Sequence, residues 1–192
     1  MALIVEQINK SFGSFQAIKD LSMEVRAGAM FGFLGANGAG KTTTMRMILD
    51  IIRPDSGRIT WDGKDIREVP RNQWGYLPEE RGLYPKMVVE EQLLFLARLN
   101  GLSKQAATKE LDEWLERFQI NANRKKKVEE LSKGNQQKVQ FLATILHDPA
   151  ILIMDEPFSG LDPVNANVLK EAFLEMHRRG KTIIFSTHQL EQ

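Results

Sequence analysis

With 192 residues, the chain has material for one domain with a substantial core, or a core plus a small subdomain. A composition 42% hydrophobic and 27% charged offsets chain entropy and excludes wholesale disorder, while a net charge of +1 leaves no global field to draw in nucleic acid or an anionic membrane. The absence of cysteine excludes disulfides, thiolate metal sites and thiol catalysis, and is compatible with a reducing compartment.

In chain order, the N-terminal MALIVEQINKSF has an apolar run broken by Glu6 and no basic segment before it, so it does not read as a signal peptide. No run approaches the roughly 20 apolar residues of a membrane span, so any membrane would be crossed by other subunits. LSMEV (21–25) alternates like a half-buried strand, MFGFL (30–34) suits a buried strand, and ITWDGKDI (59–66) carries an Asp62-Gly63 hairpin signal. Between the last two, Met45, Ile48, Leu49 and Ile52 share one face of a helix that stops before Pro54. From about residue 87 to 148 the pattern is helical. Leu111, Trp114, Leu115 and Phe118 form a core stripe with Ser103 as upstream cap, and the basic run RKKK (124–127) reads as a solvated turn, since no interleaved aromatics would stack bases. ILIMD (151–155) is a central parallel strand, followed by a helix with Val168, Ala172 and Met176 on one face and by the strand TIIFS (182–186). Strand, helix, strand implies a right-handed parallel crossover. The expected fold is therefore an α/β core split by a helical insertion, with ligands bound beyond the carboxyl ends of the strands.

GANGAGKT (35–42) matches the phosphate-loop pattern G-x-x-x-x-G-K-[ST] and lies after a strand and before a helix, where the mechanism requires it. Gly35, Gly38 and Gly40 let the backbone curl its N–H groups toward phosphate oxygens, Lys41 reaches the β and γ phosphates, and the Thr42 hydroxyl is a Mg²⁺ ligand. The competing reading is a Gly-rich turn with a chance lysine. ILIMDEP puts Asp155 and Glu156 at a strand end. Strand alternation would send them to different places, one to a metal and the other, Glu156, to an attacking water. The alternative is an acid pair capping the next helix. His188, in FSTHQ, is either a structural histidine or a functional one, its place at the ligand-bearing edge favouring neither strongly. In GYLPEERGLYP (75–85), Glu79 and Glu80 precede Arg81 in a loop punctuated by Pro78 and Gly82, and read as acids, metal ligands or a solvated turn.

Taken in order, these residues resemble the ATP-binding subunit of an ABC transporter over essentially the whole chain. The matching motifs are GANGAGKT as Walker A, ILIMD as Walker B followed by Glu156, SGLD (159–162) as the D-loop, and His188 as the switch histidine, with LSKGNQQ (131–137) in the place of the family signature. The resemblance implies a P-loop NTPase core with a parallel sheet, an N-terminal antiparallel β subdomain and an inserted α-helical subdomain. The corresponding division is 1–86, 87–148 and 149–192. It implies ATP and Mg²⁺ as cofactors, with Glu156 and His188 catalytic and with Thr42, Glu79 and Asp155 at the metal. Nucleotide contacts would come from Gly35, Ala36, Asn37, Gly38, Ala39, Gly40, Lys41, Thr42 and Thr43, and from Phe12 stacked on adenine, with Phe15 as the second choice. Ser132, Gly134, Asn135 and Asp162 complete the nucleotide-binding set, and in a head-to-tail dimer Ser132 and Gly134 would meet a partner's γ-phosphate at a helix start. Expected partners are a second ATP-binding subunit and transmembrane permease subunits, on the cytoplasmic side of the membrane, with no nucleic acid.

Three departures from the family pattern matter. Lys133 and Asn135 replace the usual glycine and glutamine of the signature. Glu79 aligns with a glutamine that contacts Mg²⁺ and water; a unit charge at about 4 Å from γ-phosphate costs about 1 kcal/mol in water and about 4 kcal/mol at an effective dielectric of about 20, so Glu79 should lean on Mg²⁺. The same loop resembles sodium-export and drug-export subunits. The chain stops four residues after His188, where family domains usually continue, which suggests a trimmed chain or a domain cut from a longer protein. Competing expectations are an ATP-binding regulatory module with little turnover, and a soluble ABC ATPase acting on DNA or ribosomes. The second is disfavoured by a single cassette and by the lack of room for a long coiled coil between Walker A and the signature.

Overall fold

The computed structural model describes residues 1–80 and 82–188, so Arg81 lies outside the described residues. β1 (Ala2–Phe12) and β2 (Phe15–Arg26) form an antiparallel hairpin, and β4 (Ser56–Trp61) and β5 (Lys64–Asp65) extend it in the order β2-β1-β4-β5. Asp62 and Gly63, both at positive φ (53° and 78°), make the tight turn that their sequence signals. A bulge at Gln7 (φ 46°) shifts the parity of β1, so Leu3 and Val5 before it and Ile8 after it all face the core.

The second sheet is parallel throughout, in the order β3 (Met30–Leu34), β8 (Thr182–Thr187), β7 (Ile151–Met154), β6 (Trp74–Leu77). β7 is flanked on both sides, and all four of its side chains are buried. Ile151 and Ile153 pack with Leu3, Val5 and Ile8 of the antiparallel sheet and with Met45 and Ile48 of α1 (Lys41–Ile48). Leu152 and Met154 pack on the opposite face against α4 (Lys133–Ile145) and α5 (Pro163–Arg178). Coverage of both faces is why ILIM carries no polar alternation. Each such burial contributes roughly 1.5–3 kcal/mol over leaving the side chain in water.

MFGFL departs from the expectation of a buried strand. Among the described residues β3 stands at the sheet edge, none of its five residues is fully buried, and Leu34 is 61% exposed. An apolar run marks the strand but not its place in the sheet. Helix α1 also ends earlier than its apolar spacing suggests. The left-handed Asp50 (φ 54°) turns the chain, and the N–H groups of Ile51 and Ile52 both close onto the Arg46 carbonyl. Between β6 and β7 lie α2 (Val89–Leu99), α3 (Lys104–Arg117) and α4. The Ser103 hydroxyl accepts the Ala106 N–H as the cap of α3, and Leu111, Trp114, Leu115 and Phe118 are buried as expected. The RKKK turn is solvated at Lys125, Lys126 and Lys127, as expected, while Arg124 is half-buried. Arg124 bridges Glu90 of α2 and Asp112 of α3, and Lys125 also pairs with Glu90.

Strand register brings the chemistry to one edge. Leu34 pairs with Thr187, and Met154 pairs with both Phe185 and Leu77. The carboxyl ends of all four strands therefore open together, carrying residues 35–40, His188, Asp155 and the Pro78–Glu80 loop.

Candidate functional site

The loop after β3 feeds directly into α1. Gly40 caps that helix at φ 85°, and a Cβ there would lie 2.5 Å from Ile18 Cδ1 and 3.0 Å from the Ala17 carbonyl, so both its conformation and its neighbours require glycine. The helix start has no side-chain cap and no acidic residue in its first turn, leaving its positive end unopposed. The Lys41 ammonium curls back to donate to the carbonyls of Gly35 (2.6 Å) and Ala36 (3.1 Å), and lies 4.0 Å from Glu156 Oε1. The loop thus holds a half-buried cation beside a buried carboxylate.

The two acids after β7 share one place. Alternation along a strand predicts opposite directions, yet Asp155 and Glu156 both line the same cavity. The strand ends at Met154 and Glu156 is left-handed (φ 48°), so the pleat no longer governs where its side chain goes. Asp155 is 1% exposed and Glu156 6%. Ser186, itself fully buried, donates its hydroxyl to Asp155 Oδ1 (2.5 Å) and accepts the Glu156 backbone N–H (2.9 Å). Among the described residues, Asp155 Oδ2 and Glu156 Oε1 have no hydrogen-bond partner. His188 Nδ1 sits 2.9 Å from Glu156 Oε2.

The cavity measures ≈ 480 Å³, within the range of about 300–1,000 Å³ typical of small-molecule sites. It is lined by a wall segment from the β1–β2 hairpin, Phe12, Phe15 and Ala17, by residues 37–43, and by Glu79, Asp155 and Glu156. Both phenylalanines are half or more exposed, so the wall offers apolar ring faces. The donor set fits a Mg-nucleotide. Buried carboxylate oxygens lack partners where a divalent ion would supply one, the Thr42 hydroxyl adds a neutral oxygen, and the ammonium and helix start complement phosphate.

Ser132, Gly134, Asn135 and Asp162 are not part of this cavity. They form a second cluster, in which the Ser132 hydroxyl caps α4 by accepting the Asn135 N–H (3.3 Å). Asp162 caps α5 through the N–H groups of Val164 and Asn165, and the Asn165 amide also donates to Asp162 (2.5 Å). Those donations, led by the Asn165 backbone N–H, hold the Asp162 carboxyl below the ordinary carboxylate range. A Cβ on Gly134 would meet Asn165 Nδ2 at 2.4 Å, so Asn165 covers this glycine from within the same chain. Sequence reasoning overlooked Ser186, Asn165 and Gln140, whose amide donates to the carbonyls of Pro78 (3.1 Å) and Glu80 (3.2 Å). A polar residue inside a buried strand, two positions before His188, was the available signal for Ser186.

Residues 18–159 match the family model described as ABC transporter. The chain belongs to this family of ATP-binding domains. A similar relative is an uncharacterized ABC transporter ATP-binding protein of Bacillus subtilis, YhaQ, 54% identical over 98% of this chain and 63% of its own length. Nod factor export ATP-binding protein I of Paraburkholderia xenovorans is 37% identical over 100% of the chain and 64% of its own length. The ABC domain thus spans somewhat less than two thirds of these relatives. A solved ATP-binding subunit of an ABC transporter superposes with a TM-score of 0.90 at 33% identity, over 99% of this chain and 80% of the other. The two-sheet architecture is accordingly that of ABC ATP-binding domains, with the P-loop NTPase fold.

Proposed function

We propose that this ABC domain hydrolyses the ATP it binds and so powers a membrane transporter, working in the export direction. The observation that carries the reading is the convergence of Lys41, Asp155 and Glu156 on one cavity, with His188 behind Glu156 and the Glu156 carboxylate buried between the ammonium and the imidazole. Phe12, with Phe15 beside it, supplies the adenine platform, and the 35–43 backbone and Lys41 take the phosphates. Thr42, the free oxygen of Asp155 and Glu79 would hold Mg²⁺, which when bound would neutralise charge on the phosphate oxygens. Glu156 accepts a proton from the attacking water as its oxygen bonds to the γ-phosphorus and the bond to the ADP oxygen breaks. His188 fixes the Glu156 carboxylate in that role.

Ser132, Gly134, Asn135 and Asp162 lie outside the cavity, which suits residues that act across an interface. A head-to-tail pair of such domains, closed by ATP and loosened on loss of the γ-phosphate, is the arrangement that uses them. In this reading residues 1–86 and 149–192 form the nucleotide core, and 87–148 dock on transmembrane permease subunits from the cytoplasmic side. The export direction draws on the GYLPEERGLYP resemblance and on the printed function of the Nod factor relative. The test is Mg-dependent phosphate release by the full-length protein with its membrane subunits. Glu156→Gln should lower turnover by about 10²-fold or more while ATP binding persists; equal rates would remove the enzyme reading and leave a binding module.

A further inference from the structure

Three side chains on one face of α4, at positions 137, 140 and 144, each donate to a backbone carbonyl at the carboxyl edge of the parallel sheet. Gln137 reaches Pro157 (3.2 Å), Gln140 reaches Pro78 and Glu80, and the Thr144 hydroxyl is shared between Tyr76 (3.2 Å) and the Gln140 carbonyl of its own helix (3.0 Å). Gln140 is the informative one. It is 3% exposed, and among the described residues its Oε1 has no hydrogen-bond partner. A buried orphan oxygen is costly, so packing alone would favour an apolar side chain of similar size. What the amide provides is its two N–H groups, and both go to the carbonyls on either side of Glu79. Since both partners are acceptors, only the nitrogen can face them.

We propose that Gln140 is a positioning residue for Glu79. It clamps the carbonyls of Pro78 and Glu80, the residues that bracket Glu79, aims that carboxylate into the nucleotide cavity, and makes the Mg²⁺ dependence of ATP binding sensitive to the placement of α4. Ser132 caps the N-terminus of the same helix, about two turns before Gln140, so the clamp ties the loop bearing Glu79 to the signature cluster through one rigid element. The inference rests on the proposed nucleotide site, but not on turnover.

The experiment uses the full-length protein in the Glu156→Gln background, so that hydrolysis does not intervene. Gln140→Met keeps side-chain volume and removes both donors, with Gln140→Leu as a second variant and thermal unfolding as the check on folding. Two readouts decide the matter: hydrogen exchange at the Glu79 and Glu80 amides, and the Mg²⁺ concentration giving half-maximal ATP binding. Exchange should quicken, and the Mg²⁺ requirement should rise about three- to tenfold, the scale of one or two net hydrogen bonds. In a Glu79→Ala background the same substitution should add nothing to the Mg²⁺ requirement. Unchanged exchange overturns the clamp, and a Mg²⁺ effect of equal size with and without Glu79 overturns its action through that carboxylate. Failure to bind ATP in the parent protein would instead sink the nucleotide-site reading, and the exchange measurement would still decide the clamp.

Discussion

Ser186 donates its hydroxyl to the Asp155 carboxylate at 2.5 Å, across the boundary between two neighbouring parallel strands. The same oxygen accepts the N–H of Glu156, the residue whose left-handed backbone brings both acids to one cavity. Ser186→Ala should therefore leave a buried carboxylate oxygen and a buried N–H without this partner. The expected loss is about 2–3 kcal/mol, or a Tm lower by about 4–12 °C in a chain of this size. Calorimetry of the variant checks it, and a Tm equal to wild type would show that the bridge is dispensable.

Gly134 separates a packing role from a phosphate-binding one. A methyl group there collides with Asn165, which must swing off and give up its bond to Asp162. Gly134→Ala should destabilise the protein by about 1–3 kcal/mol without any nucleotide present. Asn165→Ala should relieve most of that cost, so the double variant is more stable than the sum of the singles predicts. Strict additivity in urea melts would mean that the two residues do not meet.

His147 gives a pH signature. Its Nε2 contacts the Trp74 carbonyl at 3.0 Å, while its Nδ1 is buried without a partner among the described residues. Burial pushes its pKa below the ordinary 6.5, with Lys181 acting in the same direction, and the Trp74 carbonyl and Asp148 opposing it. The folded state therefore favours the neutral ring. Its contribution to stability is fully present above the unfolded pKa of 6.5 and is lost as pH falls through that value toward the lowered folded one. His147→Gln, which keeps a donor for Trp74, should flatten the decline in Tm between about pH 7 and pH 5. A slope identical to wild type would assign the acid sensitivity to other groups.

The chemistry-bearing residues were legible because they are local. GANGAGKT lies within one strand-loop-helix unit, and ILIMD shows its burial on both faces by lacking polar alternation. Asp62-Gly63 names its own turn, and Ser103 its own helix start. Local spacing misled wherever a neighbour made the decision. MFGFL reads as buried but stands at the sheet edge, and Ile52 continues a helical stripe past the point where Asp50 turns the backbone. Arg124 reads as part of a solvated run but clamps two helices.

By itself, the sequence determined which side chains carry donors and acceptors of the kind that phosphate, metal and water require, because residue type and short-range spacing are properties of one segment. Only the tertiary structure decided that Asp155 and Glu156 share a cavity, that Ser186 joins them, that Asn165 covers Gly134, and that Gln140 grips both sides of Glu79. The first follows from the left-handed backbone at Glu156, and the other three from segments some 30 to 62 residues apart in the chain meeting one another, a distance that no periodicity in a single segment encodes.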